Sequence, residues 1–318
     1  MKKYYLLMLK QSEQYFVANA PILITVYDRL WHFSKTIESL AANPLASKTI
    51  LYVAIDAPSR ECDIEKNKMV VEYAKKIAGF KYVEIIIRES NIGAYENSIL
   101  ASNYVLGMHG KMIFTEDDNI FSSHFLEYMN SGLVKYEKNE KIFSICAYLE
   151  PINNDMRFDT FIRPGFTSYG YGIWKSRFDR IDFTADDFFE TYRNPLKYFD
   201  FANKFGYHIP AGLIYSKIKN KIFGDYSICH QMFKDECISI FPKKTLVRNI
   251  GQDGSGLNSG VDSILQNQEI WYPTHSIEHQ FDAFESDLTN EELKKYHKKP
   301  FYYNLIRYFQ YMLHAKWT

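Results

Sequence analysis

Cysteine is scarce in this chain: four in 318 residues, Cys62, Cys146, Cys229 and Cys237. No two form a C-x-x-C pair and the spacing suits no zinc ribbon, so four reduced thiols are the expected state. Glycine and proline number only 15 and 10, too few for a disordered or collagen-like chain. An excess of one charge is also missing. Lys+Arg and Asp+Glu stand at 38 each, which argues against a bulk nucleic-acid binder, a class that is basic overall. No apolar run approaches the ~20 residues of a membrane-spanning helix. The opening MKKYYLLMLK has a basic head but only six apolar residues before Lys10. That is short for a secretory h-region, and a cytoplasmic location is expected. Aromatic residues, by contrast, are plentiful: 24 Phe, 25 Tyr and 4 Trp. Rings in such surplus pack cores and also line clefts where flat ligand faces stack.

The first half alternates two periodicities. Ile22 to Val26 is a short β-rich apolar run, and Leu30, Phe33, Ile37, Leu40 and Ala41 then trace a helical stripe. Apolar runs recur at Ile50 to Ile55, Tyr82 to Ile87 and Met112 to Phe114, with helical stripes between them. Strand starts lie about 30 residues apart, the length of a βαβ unit. The expected fold is therefore α/β: a mostly parallel sheet with helices on both faces. After about residue 150 proline punctuates the chain and aromatics crowd in. Three segments are expected: an α/β half over 1–150, an α+β half of the same domain over 151–285, and a basic aromatic helical tail over 286–318.

Open α/β sheets bind ligands beyond the carboxyl ends of their strands. There the sequence places Tyr27-Asp28-Arg29, Asp56, Arg88 with Asn91-Ile92-Gly93, and Thr115-Glu116-Asp117-Asp118-Asn119. No G-x-G-x-x-G follows the first strand and no G-x-x-x-x-G-K-[ST] is present. A phosphate site without a glycine cradle needs another source of positive charge, and a divalent cation on carboxylates supplies one. Three adjacent acids between apolar stretches are costly unless solvated, paired or metal-bound; a solvated acidic turn is the plain alternative.

These strand-end residues resemble the nucleotide-binding half of GT-A (Rossmann-like) glycosyltransferases, whose signature is a D-x-D or E-D-D motif at a strand end. The resemblance is closest to the inverting N-acetylglucosaminyltransferase I type and to bacterial surface-glycan sugar transferases. It continues through Ser168-Tyr169-Gly170-Tyr171-Gly172-Ile173-Trp174, Phe223-Gly224-Asp225-Tyr226 and the glycine-rich segment from Asn249 to Asn258. It implies that Asp118 ligates Mn2+ or Mg2+, Asp117 contacts the ribose and Glu116 the transferred sugar. It further implies that Asp56 reads a uracil edge, that Arg29 and Asn91 lie on the nucleotide side, that Tyr171 stacks on sugar, and that Asp225 is the general base. The implied reaction is transfer from a nucleoside diphosphate sugar, UDP-linked because of Asp56, to a glycan or lipid-linked glycan hydroxyl in surface polysaccharide synthesis. No nucleic-acid partner is implied.

Other readings stay open. A metal-dependent phosphohydrolase would use the same acids without an acceptor, and a non-catalytic carbohydrate-binding protein would keep the aromatics alone. Asp225 could serve only as a helix N-cap, and Asp182, Asp186 and Asp187 rival it as base. His275 and His279, at i, i+4, read as surface histidines. The glycines from Gly251 to Gly260 suit a mobile lid or a plain surface loop. In the tail, Leu305, Tyr308, Phe309, Met312 and Leu313 recur at helical spacing among basic residues. Such a helix either lies on an anionic membrane, giving a peripheral location, or docks on the catalytic domain.

Overall fold

The computed structural model describes residues 19–152, 158–256, 260–274, 283–285, 287–296 and 301–314. His275, His279 and Asn258 lie outside them. The sheet is built as the patterning requires. Strands β1 (Ile22–Val26), β2 (Ile50–Ile55), β3 (Tyr82–Ile87) and β4 (Lys111–Glu116) run parallel in the order β3-β2-β1-β4. Their alternation feeds both faces. In β1, Ile22, Ile24 and Val26 enter one core layer and Leu23 the other; in β2, Leu51, Val53 and Ile55 oppose Tyr52 and Ala54.

Helices α1 (Leu30–Ala41) and α2 (Ile64–Ala74) bury Phe33, Ile37, Leu40 and Val70 in the first layer. Helix α3 (Ala94–His109) buries Ala101, Val105 and Leu106 in the second. A short β5 (Asn119–Phe121) and helix α4 (Phe125–Lys135) follow, with Leu126, Met129 and Leu133 again on the first face.

The second half does not form its own sheet. Strands β6 (Ile142–Cys146), β7 (Thr160–Arg163), β8 (Tyr171–Trp174) and β9 (Ile238–Pro242) extend the first one. Strand β8 inserts antiparallel between β4 and β6. With β10 (Val247–Asn249) pairing separately with β5 and β11 (Ala283–Glu285) at the far edge, the nine-stranded order is β11-β7-β9-β6-β8-β4-β1-β2-β3.

Helices α5 (Pro195–Phe205), α6 (His208–Lys219) and α7 (Gly224–Lys234) cover the second face. Much of the aromatic surplus is spent here. Phe188, Tyr192, Tyr198 and Phe201 are fully buried, and Tyr192 stacks on Phe201 at 4.9 Å. At their centre His230 joins the Tyr192 hydroxyl at 2.9 Å and Asp187 at 2.8 Å. The four cysteines are free, Cys62 alone being exposed. Helices α8 (Asp287–Tyr296) and α9 (Phe301–His314) close the chain. Among the described residues no helix is long and apolar enough to cross a membrane.

Candidate active site

A cleft of about 630 Å³ opens at the carboxyl ends of β1, β2 and β4. Glu116, Asp117 and Asp118 form one wall, and Asp225, from the first turn of α7, forms the other. Tyr27, Arg29, Asp56, Asn91, Ser168, Tyr169, Tyr171, Asn249 and Gln252 complete the lining. Residues far apart in sequence thus meet because β8 and β10 return beside β4 and β5.

The acidic triplet is tied down unevenly. Asp117 and Asp118 are 5% and 6% exposed. Arg29 bridges them: its Nη2 donates to Asp118 Oδ2 at 2.8 Å and to Asp117 Oδ1, and its Nε to Asp117 Oδ2 at 3.3 Å. Asn249 Nδ2 donates to Asp118 Oδ1 at 2.7 Å. Burial disfavours the charge on Arg29, but Asp117 and Asp118 outweigh it and hold the guanidinium proton more tightly than usual. Glu116 faces the cleft, and among the described residues no side chain donates to its carboxylate. Burial, then the charges of Asp118, Asp225 and Asp117, push its pKa well up. Burial also raises Asp117, against the pull of Arg29.

Asp225 differs from its rivals. It accepts a 3.0 Å hydrogen bond from Ser168 Oγ and makes no capping bond, since Phe223 holds the N-cap position of α7. Burial raises its pKa and the Ser168 bond opposes the rise. The side chain is open to the cleft by surface, which bounds that shift. Its chain neighbours Phe223 and Tyr226 set their rings against each other, tilted by 38° with centroids 5.8 Å apart. The rival acids are occupied elsewhere: Asp182 caps the turn at Thr184 and Asp186, Asp186 pairs with Lys217 at 2.9 Å, and Asp187 holds His230 and Lys234.

Two expected roles need correction. Asp56 is 3% exposed, and each of its oxygens accepts two hydrogen bonds. Oδ1 takes the N–H groups of Ala57 and Ile92, and Oδ2 takes that of Gly93 and the amide of Asn91. A carboxylate has about four acceptor positions, so Asp56 has none left for a uracil edge. It holds the Asn91–Gly93 turn, in which Gly93 adopts φ +88°, while Asn91 lines the cleft and gives its Nδ2 to Asp56 and to the Ala57 carbonyl at 2.7 Å. The UDP preference rested on Asp56 and is withdrawn. Tyr171 is 5% exposed, its ring packed between Phe114 and Phe166 at 5.3 and 4.7 Å. Tyr169, two residues earlier, reaches the cleft and meets Gln252 at 3.5 Å.

Other contributors were less visible in the sequence. Gly251 presses on the ion pair: a Cβ there would lie 2.0 Å from Asp118 Oδ2. The backbone N–H of Ile250 donates to the Asp118 carbonyl at 2.8 Å, and Asp253 meets His32 at 3.0 Å. The segment expected as a lid or surface loop is thus fastened down at Asn249–Asp253.

No protein-family model and no curated protein matches the chain. Among solved structures it is similar to the mannosyltransferase PcManGT from Pyrobaculum calidifontis in complex with GDP-Man and Mn2+, at 13% identity and TM-score 0.36, covering 60% of this chain and 58% of that one. It is similar to the galactosyltransferase LgtC in complex with donor and acceptor sugar analogs, at 10% identity and TM-score 0.32, over 67% and 70% of the two chains. It is also similar to TarS of S. aureus, at 13% identity and TM-score 0.29, over 37% and 20%. The chain thus spans less than two thirds of PcManGT and of TarS. Overlap at this level assigns neither activity nor substrate, and it lends no support to the narrower N-acetylglucosaminyltransferase I likeness.

Proposed function

We propose that the chain is a metal-dependent, inverting glycosyltransferase that moves a sugar from a nucleoside diphosphate sugar to an acceptor hydroxyl. The observation that supports this most directly is the convergence of Glu116, Asp117 and Asp118 with Asp225 across one cleft. In this reading Asp225 takes the proton of the acceptor hydroxyl. Ser168 occupies Oδ2 of Asp225, which leaves Oδ1 for that proton. As the new O–C bond forms at the anomeric carbon, the bond to phosphate breaks, and its electron pair leaves on the diphosphate. Direct displacement needs one base and no covalent intermediate, and a raised carboxylate pKa brings that base nearer the working pH. Asp117 is assigned to the ribose and Glu116 to the transferred sugar.

The residues fit a divalent cation. Asp118, with the cleft-facing Glu116 beside it, would hold Mn2+ or Mg2+ through hard carboxylate oxygens. Among the described residues no three His, Cys, Asp or Glu side chains gather into a cage. Mg2+-type ions commonly take one or two carboxylates and complete their shell with phosphate and water. The unpartnered, buried Nη1 of Arg29 is a donor suited to an oxyanion brought by the same ligand. When bound, the cation supplies Lewis-acid neutralisation of the leaving phosphate.

The acceptor we propose is a growing surface glycan carried on a lipid, reached from the inner membrane face. Helix α9 supports this. Tyr308 packs on Tyr198 and Phe199 at 5.1 and 5.6 Å, while Tyr302, Leu305, Ile306, Phe309 and Leu313 stay exposed. The helix is docked by one side and offers apolar side chains to a partner with the other.

Calorimetric titration with UDP, GDP, TDP and CMP, each with and without Mn2+, tests the donor site on wild type and Asp118→Ala. One nucleoside diphosphate is expected to bind with Mn2+ and to lose that binding in the variant. Absence of binding by all four removes the transferase reading. Release of free sugar at full rate without acceptor would mark a hydrolase instead.

A further inference from the structure

Arg29 stands where an incoming cation has to act. It follows β1 directly, and the main chain turns into α1 at this residue, so its side chain is delivered to the acidic wall by the sheet itself. Three of the four carboxylate oxygens of Asp117 and Asp118 accept from its Nε and Nη2, and Asn249 takes the fourth. Every oxygen of the pair is thus engaged once, and a cation approaching Asp118 meets the positive guanidinium already seated against it.

Two further observations show that this arrangement is not a complete one. Arg29 Nη1 is buried and, among the described residues, makes no hydrogen bond, and a buried donor without an acceptor is costly. One guanidinium also offsets two carboxylates, in a cleft that holds Glu116 and Asp225 besides. An anionic ligand adds negative charge to that cleft, and Arg29 alone cannot balance it. The segment over the pair leaves little room for rearrangement. Gly251 is so close that a Cβ would lie 3.1 Å from Nη1 as well as 2.0 Å from Asp118 Oδ2.

We infer that Arg29 is a built-in counter-ion that holds Asp117 and Asp118 while the donor site is empty, and that it yields Asp118 to a divalent cation only when a diphosphate arrives to take over the guanidinium. The inference rests on the donor-site reading above. It makes cation and nucleotide each other's condition. The cation alone has to compete with Arg29 for Asp118 and binds poorly. With the diphosphate present, phosphate oxygens satisfy Nη1 and draw the guanidinium off. Thermodynamic linkage then requires the nucleotide to be helped by the cation to the same extent.

The test is Mn2+ binding without turnover, followed by the paramagnetic resonance of free Mn2+, with and without UDP or GDP, on wild type, Arg29→Gln and Arg29→Lys. Wild type is expected to bind Mn2+ weakly alone and about tenfold or more tightly with nucleotide, within the usual span of such couplings. Arg29→Gln removes the competitor. It should bind Mn2+ alone about tenfold or more tightly than wild type does, and lose most of the nucleotide effect. Arg29→Lys keeps the charge and should stay near wild type. An Arg29→Gln affinity for Mn2+ alone equal to that of wild type overturns the inference. Tight Mn2+ binding by nucleotide-free wild type, or nucleotide binding with no Mn2+ coupling, overturns it too, and these wild-type arms hold even if Arg29→Gln fails to fold. In those cases the donor site survives, because nucleotide still binds. Failure of every form to bind nucleotide refutes the donor site itself, and this inference with it.

Discussion

Gly251→Ala adds a single methyl group, and the structure says where it goes. A Cβ at 251 would stand 2.0 Å from Asp118 Oδ2, 2.7 Å from its Cγ and 3.1 Å from Arg29 Nη1. The φ of Gly251 lies outside the left-handed region, so the cost is steric and not backbone strain. The carboxylate cannot easily move aside. Arg29 holds Oδ2, Asn249 holds Oδ1, and Ile250 holds the carbonyl of the same residue. The main chain of the 249–254 segment or the carboxylate must give by roughly an ångström, and overpacking of this kind costs ~1–3 kcal/mol. A displacement of that size at a binding group can cost on the order of a hundredfold in rate. Denaturant unfolding should show the loss of stability, and nucleotide titration with Mn2+ should show weakened binding. Gly260→Ala is the control, because among the described residues nothing lies within 4 Å of its added Cβ; it should match wild type in both measurements. A Gly251→Ala protein as stable as the Gly260→Ala control, with unaltered nucleotide binding, would refute the close packing on which the site rests.

Asp225→Asn should leave Mn2+-dependent nucleotide binding intact while turnover falls by ~10² or more, as for loss of a general base; full turnover in acceptor assays would return Asp225 to a structural role. Because burial raises the pKa of Asp225, the base is lost as pH falls through that raised value. The acid limb of the kcat/KM profile should therefore lie above that of an unperturbed aspartate and vanish in Asp225→Asn. Glu116→Gln should stabilise the fold at neutral pH. The native pKa of Glu116 is raised, so its contribution to stability is present below the unfolded-state pKa and lost as pH rises through the native one; the gain should shrink to nothing in acid, as read by thermal unfolding against pH. Ile306→Asp combined with Phe309→Asp should abolish flotation with anionic vesicles and leave soluble-acceptor turnover unchanged; equal partitioning of both proteins would remove the membrane reading.

The parallel half of the fold was legible because its signals are local. The bounds of β1, β2 and β3 match the apolar runs: β1 and β2 are buried on both faces and read as continuous apolar stretches, and β3, half-buried at the sheet edge, is still rich in β-branched residues. The insertion of β8 between β4 and β6 was not legible. Antiparallel pairing across so long a separation leaves no trace in the spacing of Tyr171 and Trp174. At the site, the sequence supplied the acids but not their occupancy. Asp56 looked free because nothing in a sequence shows that the N–H groups of Ile92 and Gly93 turn back onto it. Tyr171 and Tyr169 share one β-rich segment, and only the position of Phe114 and Phe166 decides that ring 171 belongs to the core. A glycine such as Gly251 suits close approach of main chain to a charged group as well as a mobile lid, and its sequence setting does not separate the two.

The carboxylates of the cleft face opposed demands, and their partners divide accordingly. A base has to be ionised and unengaged on the side where the acceptor arrives. Asp225 is placed for that proposed role, with one oxygen on Ser168 and, among the described residues, no cationic side chain paired with it. Asp117 and Asp118 face a different demand, buried side by side in one wall, and Arg29 lies between them and offsets part of their charge. Glu116 has no cation of its own among the described residues, and burial beside Asp118, Asp225 and Asp117 raises its pKa. A carboxyl group in that state accepts a hydrogen bond when ionised and donates one when protonated, which suits it to the hydroxyls of a bound sugar. The metal-ligand role in this reading stays with Asp118. Exchanging the two residues' roles would require Arg29 to desert Asp118 for Glu116. The hydrogen bonds from Asn249 and Ile250, which fix Asp118 beside Arg29, oppose that exchange.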